Sequence, residues 1–297
     1  MGGDVMDVTK GEYFTKMTRI ILSYIQVEPL FMARQKGLDA AEISPDLGLS
    51  RVMVALTPEG VVFPGGERVS WQNLEKIRKS EVNCFLVEED AVKSIQVFSE
   101  YTNRVCGLMP TKGAPSMLIA GFVMHRIKDI DPMQDTSRKI ASITPVVGRV
   151  LDTATGLGYT AIEAAKTAEQ VVTIELDPGA QEIARLNPWS QALFDNPKIE
   201  QIIGDAYEVV QAFEDESFAR IIHDPPTFSL AGDLYSGAFY RQLYRVLKRG
   251  GRLFHYIGDP NSKASGGVTK GALRRLQEAG FARVTRRPEA FGVVAYK

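Results

Sequence analysis

Three carboxylates and a Gly-x-Gly turn follow one another at the ends of apolar runs, and a fourth carboxylate opens an Asp-Pro-Pro tripeptide. Residues 146–158 (VVGRVLDTATGLG) read as a strand ending in Asp152, then a loop carrying Gly156 and Gly158. Glycine lets a backbone turn tightly and approach a ligand without a Cβ in the way. The helix that starts beyond it presents free N–H groups. Glu175 ends a second apolar run, where an acid can accept from both hydroxyls of a ribose, and Asp205 follows a third run in IIGDA. Residues 221–228 (IIHDPPTF) end a fourth strand in Asp224-Pro225-Pro226. Consecutive prolines rigidify the loop and cannot donate N–H groups, so the carbonyls beside them can face a pocket. The Asp224 carboxylate and the Pro225 carbonyl can then accept both hydrogens of an –NH₂ group. For an amine conjugated into a ring, that favours a more pyramidal nitrogen with its lone pair aimed at an electrophilic carbon. Such catalysis works by positioning and electrostatic preorganisation.

These residues need a scaffold that collects strand ends. From residue 146 onward, strands are predicted at 147–152, 170–175, 199–203, 218–223 and 251–256, and helices at 158–168, 178–186, 206–213, 236–248 and 268–279. The alternation implies an α/β domain with a parallel sheet and right-handed crossovers, which binds ligands at the carboxyl ends of its strands. The tail GFARVTRRPEAFGVVAYK reads as two strands joined by a short turn. Residues 1–110 read as a smaller β-rich domain with a mixed pattern over the first 45 residues. In it, RVMVALT and VVF suggest a hairpin, WQNLEKIRK a short helix, and NCFLVEE and KSIQVFS two further strands. Residues 111–145 read as a helical linker, with helix on both sides of a break at Asp131-Pro132, leaving 146–297 as the catalytic domain.

Taken in this order, the strings around Asp152 and Asp224 resemble motifs I and IV of class I S-adenosylmethionine (SAM) dependent methyltransferases. The resemblance implies a Rossmann-like sheet closed by an antiparallel hairpin, with SAM as cofactor. It places Thr155, Gly156 and Gly158 under the methionine moiety, Asp152 toward its amino end, Glu175 at the ribose and Asp205 at the adenine amino group. Asp224 and Pro225 fall at the acceptor amine. A longer set of strings (MHRIKDIDP, LDTATGLGYTAIEAA, ARLNPWS, HDPPTFSLAGDLYS, FYRQLYRVLKRGGRLFHY) is similar to a stand-alone, mainly archaeal methyltransferase family linked to N4-methylation of cytidine in small-subunit ribosomal RNA. That similarity runs over roughly residues 45–297. It implies RNA N-methylation, with ribosomal RNA or a ribosomal subunit as partner. The chain departs from the amine-methyltransferase pattern after the prolines, where Thr227 replaces an aromatic residue and Phe228 comes one later.

Other residues admit two roles. His223 and His255 each end a predicted strand, and either contact substrate or are hydrogen-bonded core histidines. Trp189 lines the pocket or caps a helix, and Phe228 is placed to stack on a base beside Thr227. Tyr235, Phe239 and Tyr240 wall the acceptor site or belong to the core. GLGYTA also fits the G-x-G-x-x-A pattern of dinucleotide enzymes, so NAD competes on that segment alone; Asp152, Asp205 and the terminal hairpin favour SAM. No metal is expected, because the histidine pair lacks a third ligand. Cys84 and Cys106 lack ligand spacing and read as buried thiols.

The net charge is −1, yet residues 241–297 hold 13 Lys/Arg against 3 Asp/Glu, which makes this tail +10 and the rest −11. The tail is either a basic face for phosphates or a set of solvated helix faces. No apolar run of membrane-spanning length and no secretory segment is present, so the expected setting is the cytoplasm, with no membrane partner. Two further functions fit the pattern. One is a polyamine-synthase-like aminopropyltransferase using decarboxylated SAM. The other is a SAM- or RNA-binding module without activity.

Overall fold

A computed structural model describes residues 19–258 and 265–297. The first 18 residues of the span assigned to the β-rich domain, and residues 259–264 of the basic tail, lie outside them. Numbering elements from residue 132 onward, the large sheet holds β1 (Arg149–Asp152), β2 (Gln170–Glu175), β3 (Ile199–Ile203), β4 (Phe218–His223), β5 (Leu247–Tyr256), β6 (Arg283–Arg287) and β7 (Gly292–Tyr296). Its order is β3-β2-β1-β4-β5-β7-β6. β1 to β5 are parallel, and β7 lies antiparallel between β5 and β6. The fold is the Rossmann-like methyltransferase sheet that the strand–helix alternation and terminal hairpin imply. Strand order turns outward on both sides of β1, so the switch point lies between β1 and β4.

The interior strands are apolar on both faces, as strands covered on both sides must be. Val150, Ile222, Phe254 and Val294 pack on one side against α2 (Tyr159–Ala165) and α3 (Pro178–Leu186). Leu151, Val172, Ile221 and Leu253 pack on the other against Phe239 and Leu243 of α6 (Gly237–Val246) and Ala272 and Leu276 of α7 (Ser265–Glu278). Between α3 and α6 lie α4 (Gln191–Asp195) and α5 (Ala206–Val209). The helix expected over 206–213 is shorter, because a 3-10 turn at Val210–Ala212 follows α5.

The amino-terminal region is β-rich and holds three small sheets. The helix expected on the amino-terminal side of the Asp131-Pro132 break is not there. Ser116–Ile119 and Phe122–Val123 instead form a hairpin that completes a four-stranded sheet with Gln96–Ser99 and Arg104–Met109. The cause is the turn: Ala120 and Gly121 both have positive φ, 49° and 82°, the twist that a two-residue hairpin requires. The β-rich region therefore reaches Val123. The helical part of the linker is α1 (Pro132–Ala141), capped by Asp131, which accepts from the N–H of Met133 at 2.8 Å.

Asp177 fastens this four-stranded sheet to the large one. Its Oδ1 caps α3 by accepting from the N–H of Gly179 at 2.8 Å. Its Oδ2 accepts from the Thr102 hydroxyl at 2.6 Å. One carboxylate thus ends a helix and joins two layers. Asp177→Ala should lower stability by about 1–3 kcal/mol, the sum of a lost cap and a lost buried acceptor. An unchanged urea midpoint would show that the carboxylate contributes nothing net to either.

Candidate active site

A cavity of about 300 Å³ opens at the carboxyl ends of β1, β2 and β4. Thr153, Ala154, Thr155 and Gly156 line its floor. Thr155 is held by its N–H to the Ile174 carbonyl and by its hydroxyl to that of Thr173, at 2.9 and 2.7 Å. Gly156 adopts φ 53°, and a Cβ there would meet nothing within 4 Å, so its position faces open space. Gly158 differs. At φ 77° it starts α2, and a Cβ would come within 2.6 Å of the Leu193 side chain. Gly158 does not line the cavity, so its role is packing and turn geometry and not contact with a cofactor.

Glu175 is half-buried at the cavity edge. Its Oε2 accepts from the N–H of Gly156 at 2.8 Å and its Oε1 from that of Asp177 at 2.9 Å. Burial pushes its carboxyl up to about 7, against those N–H groups. Asp205 lines the cavity while its Oδ1 caps α5, accepting from the N–H of Tyr207 at 2.8 Å. Asp152 lies one layer behind the wall and is fully buried. Its Oδ2 accepts from the hydroxyls of Thr160 and Thr173 at 2.9 and 3.2 Å, and its Oδ1 has no partner among the described residues. Burial pushes this carboxyl up to about 7 as well, opposed by the Thr160 hydroxyl.

At the other end, Asp224 and Pro225 line the wall. The Lys139 ammonium, buried on α1, donates to Asp224 Oδ2 at 2.6 Å and pairs electrostatically with Asp135 Oδ2 at 2.7 Å. Arg126 donates to Asp135 Oδ1 at 2.8 Å. Burial works against the Lys139 charge, but Asp224 and Asp135 outweigh it and hold the ammonium protonated. Burial raises the Asp224 carboxyl in turn, and the ammonium pulls it back down. Asp224 Oδ1 and the Pro225 carbonyl accept no hydrogen bond from the described residues. The Pro226 carbonyl is taken by the Tyr235 hydroxyl at 2.9 Å.

Several expected contacts are absent. His223 is fully buried, with Nδ1 at 2.7 Å from the Thr153 hydroxyl and Nε2 at 2.9 Å from the Leu234 carbonyl. His255 is also fully buried, with Nε2 at 2.7 Å from the Tyr240 hydroxyl. Burial lowers both far enough to keep them neutral, His223 to about 3. Neither faces the cavity: they are core histidines supporting the loop. Trp189 donates its indole N–H to the Leu47 carbonyl at 3.1 Å and pins the amino-terminal region. Thr227 and Phe228 are exposed outside the cavity wall, which Leu230 to Leu234 form instead. Phe228 packs edge-on to Tyr235 at 5.6 Å. Among the described residues, no cluster of His, Cys, Asp or Glu could hold a metal ion, and no helix is long and apolar enough to cross a membrane.

Sequence reasoning missed Lys139 and the roof. Asp135 and Lys139 stand four apart, a spacing that reads as an exposed helical pair. The roof comes from the amino-terminal sheet and the strand end after it: Met117, Ile119, Met124 and His125. Ser116 fixes His125, with Oγ at 3.1 Å from Nδ1.

A methyltransferase-domain profile matches residues 150–251. The uncharacterized protein MJ1233 of Methanocaldococcus jannaschii is 46% identical over 237 residues, covering 79% of this chain and 80% of that protein. The chain belongs to the MJ1233 family. Its carboxyl-terminal half carries the Rossmann-like methyltransferase fold. A polyamine aminopropyltransferase of Clostridium kluyveri is 30% identical over 139 residues, 46% of this chain and 50% of that enzyme. The spermidine synthase from Thermotoga maritima shares the fold, with a TM-score of 0.54 and 23% identity over 70% of this chain and 75% of that one.

A SAM-type nucleoside fits the cavity. Gly156 leaves open space where a Cβ would stand, and Thr155, Glu175 and Asp205 would hold the group. When bound, it supplies an electrophilic carbon on a sulfonium. With each Glu175 oxygen already accepting one N–H, a carboxyl at about 7 can accept from both ribose hydroxyls only once ionised. SAM affinity should therefore rise as pH climbs through 7, while the free protein loses stability over the same rise, because the folded chain holds protons that the unfolded chain has released. Calorimetry should show the pH dependence flatten in Glu175→Gln. An undiminished dependence would assign it elsewhere.

Proposed function

We propose that this chain is a SAM-dependent N-methyltransferase acting on a neutral, conjugated amine of an RNA base, with cytidine N4 of ribosomal RNA as the leading acceptor. The observation that carries this reading is the acceptor end of the cavity. Lys139 holds Asp224 Oδ2, which leaves Oδ1 and the Pro225 carbonyl, on two consecutive wall residues, as acceptors without a partner among the described residues. Two acceptors on one –NH₂ group hold the nitrogen in a pyramidal, attacking geometry. The proton leaves late, as nitrogen acidity rises, and Asp224 or water takes it. Arg126, Asp135, Lys139 and Asp224 together carry no net charge, which suits a neutral acceptor.

A second reading is aminopropyl transfer from decarboxylated SAM to a polyamine. The named relatives favour it: a polyamine aminopropyltransferase by sequence over half its length and a spermidine synthase by fold. The same two acceptors would serve a primary amine. A polyamine arrives as a polycation and needs unpaired carboxylates: Asp224 is paired with Lys139, but the exposed Asp233 at the cavity wall is in no ion pair among the described residues and would serve one.

Crossing both donors with both acceptors separates the readings. Methylated cytidine from SAM and ribosomal RNA, read by nucleoside mass spectrometry, is the expected product. Aminopropylated putrescine or spermidine from decarboxylated SAM, with no RNA product, would establish the second reading. Asp224→Ala should cut turnover by roughly 10²-fold or more and leave SAM affinity unchanged. Asp224→Asn should fare no better, since its oxygen would turn to Lys139 and its –NH₂ would face the acceptor. Near-normal turnover in both variants would remove Asp224 from the reaction.

A further inference from the structure

The basic tail divides once folded. Arg245, Arg249, Arg274 and Lys297 sit in ion pairs with Asp215, Glu216 and Glu278. Of the other described cations of the tail, none of which is in an ion pair, Arg252, Arg283 and Arg287 lie together, and Arg138 of α1, also in no ion pair, lies near them. These four fall on one side of the molecule. Arg252, Tyr296 and Arg283 stand opposite one another across β5, β7 and β6, so their side chains share a face. Tyr256, Gly292 and Arg287 form a second row on the same face, four residues or about 13 Å along the strands.

Tyr296 organises the cluster. The Arg283 guanidinium lies 4.1 Å from its ring centre and that of Arg252 5.8 Å. Arg287 Nη2 donates to its hydroxyl at 3.4 Å. Arg138 and Arg126 both donate to the Glu289 carbonyl, at 3.4 and 3.0 Å, closing the upper rim. The Glu289 side chain is in no ion pair among the described residues. The row that contains Arg287 ends at Tyr256, whose ring lies 4.8 Å from the Lys139 ammonium that holds Asp224. The cluster therefore runs from the outer strands of the sheet to the acceptor end of the cavity.

We propose that Arg138, Arg252, Arg283 and Arg287 form a track for the phosphate backbone of an RNA strand, delivering a base to Asp224 over the β5–β7–β6 edge. The proposal rests on the RNA reading above and names the surface that would carry it. Unpaired guanidiniums on a rigid sheet face match the charge and fork geometry of phosphates. A polyamine, itself a cation, would be repelled there.

The test is binding of a fluorescein-labelled RNA stem–loop with a cytidine-rich loop, by anisotropy across a salt series. The variants are Arg138→Gln/Arg283→Gln/Arg287→Gln and a charge-matched control, Lys36→Gln/Arg51→Gln/Arg68→Gln, in the amino-terminal region. The track variant should lose roughly 100-fold in affinity at low salt, and its log K against log salt slope should fall by about 2 to 3, one step per lost phosphate contact. Its SAM affinity should match that of the parent chain, and the control should bind RNA normally. An equal loss in the control would reduce the effect to net charge and overturn the track. Unchanged RNA binding in the track variant would also overturn it and leave the RNA reading intact. Failure of the parent chain to bind RNA would overturn both, leaving transfer to a small amine.

Discussion

One ammonium decides how the acceptor end works. Lys139 is buried between Asp135 and Asp224, with 2.7 and 2.6 Å to their oxygens. It offsets the repulsion between two carboxylates that share one cation. A buried pair of this kind adds little stability by itself, and removing one partner is costly. Its value lies in orientation: Lys139 fixes Oδ2 of a wall residue and leaves its other oxygen without a partner among the described residues. α1 thereby becomes part of the site, although it lies upstream of the sheet and carries none of the recognised motifs.

The donor end follows a different rule. There the side chains are spent on the protein itself. Glu175 ties the glycine loop to the start of α3, and Asp205 caps α5. Asp152 holds Thr160 and Thr173 in place. Each acid holds the protein's own groups first, backbone N–H for Glu175 and Asp205 and hydroxyls for Asp152, and offers its remaining lone pairs second. The carboxyls of Asp152 and Glu175 are raised because their burial costs more than these hydrogen bonds return.

The sheet was legible because its signals are local. Continuous apolar strands ending in Asp152, Glu175 and His223 specify length and end together, and β2, β3 and β4 occupy the predicted residues. The misreadings share a cause, which is that a local pattern cannot say what packs against it. MLIAGFV has helical composition, but Ala120-Gly121 turns it into a hairpin. His223 and His255 stand at strand ends on the ligand side, yet the strands lie under Tyr240 and Leu234, which take up their nitrogens. Lys139 was invisible for the opposite reason. Its partner Asp224 is 85 residues away, and only the closed fold makes them neighbours.

The cavity belongs to neither half of the chain. Its floor is the β1 loop, and its roof is Met117, Ile119, Met124 and His125 from the amino-terminal sheet and the segment after it. A nucleoside seated there would be clasped between two layers that are otherwise joined through Asp177, Trp189 and a shared apolar core. Occupancy then acts as a third fastening, raising the free energy of separating the layers by the logarithm of ligand concentration over its dissociation constant. The amino-terminal sheet is in this sense a clasp whose grip reports donor supply, so chimaeras that exchange it for another would alter donor retention before they altered the chemistry.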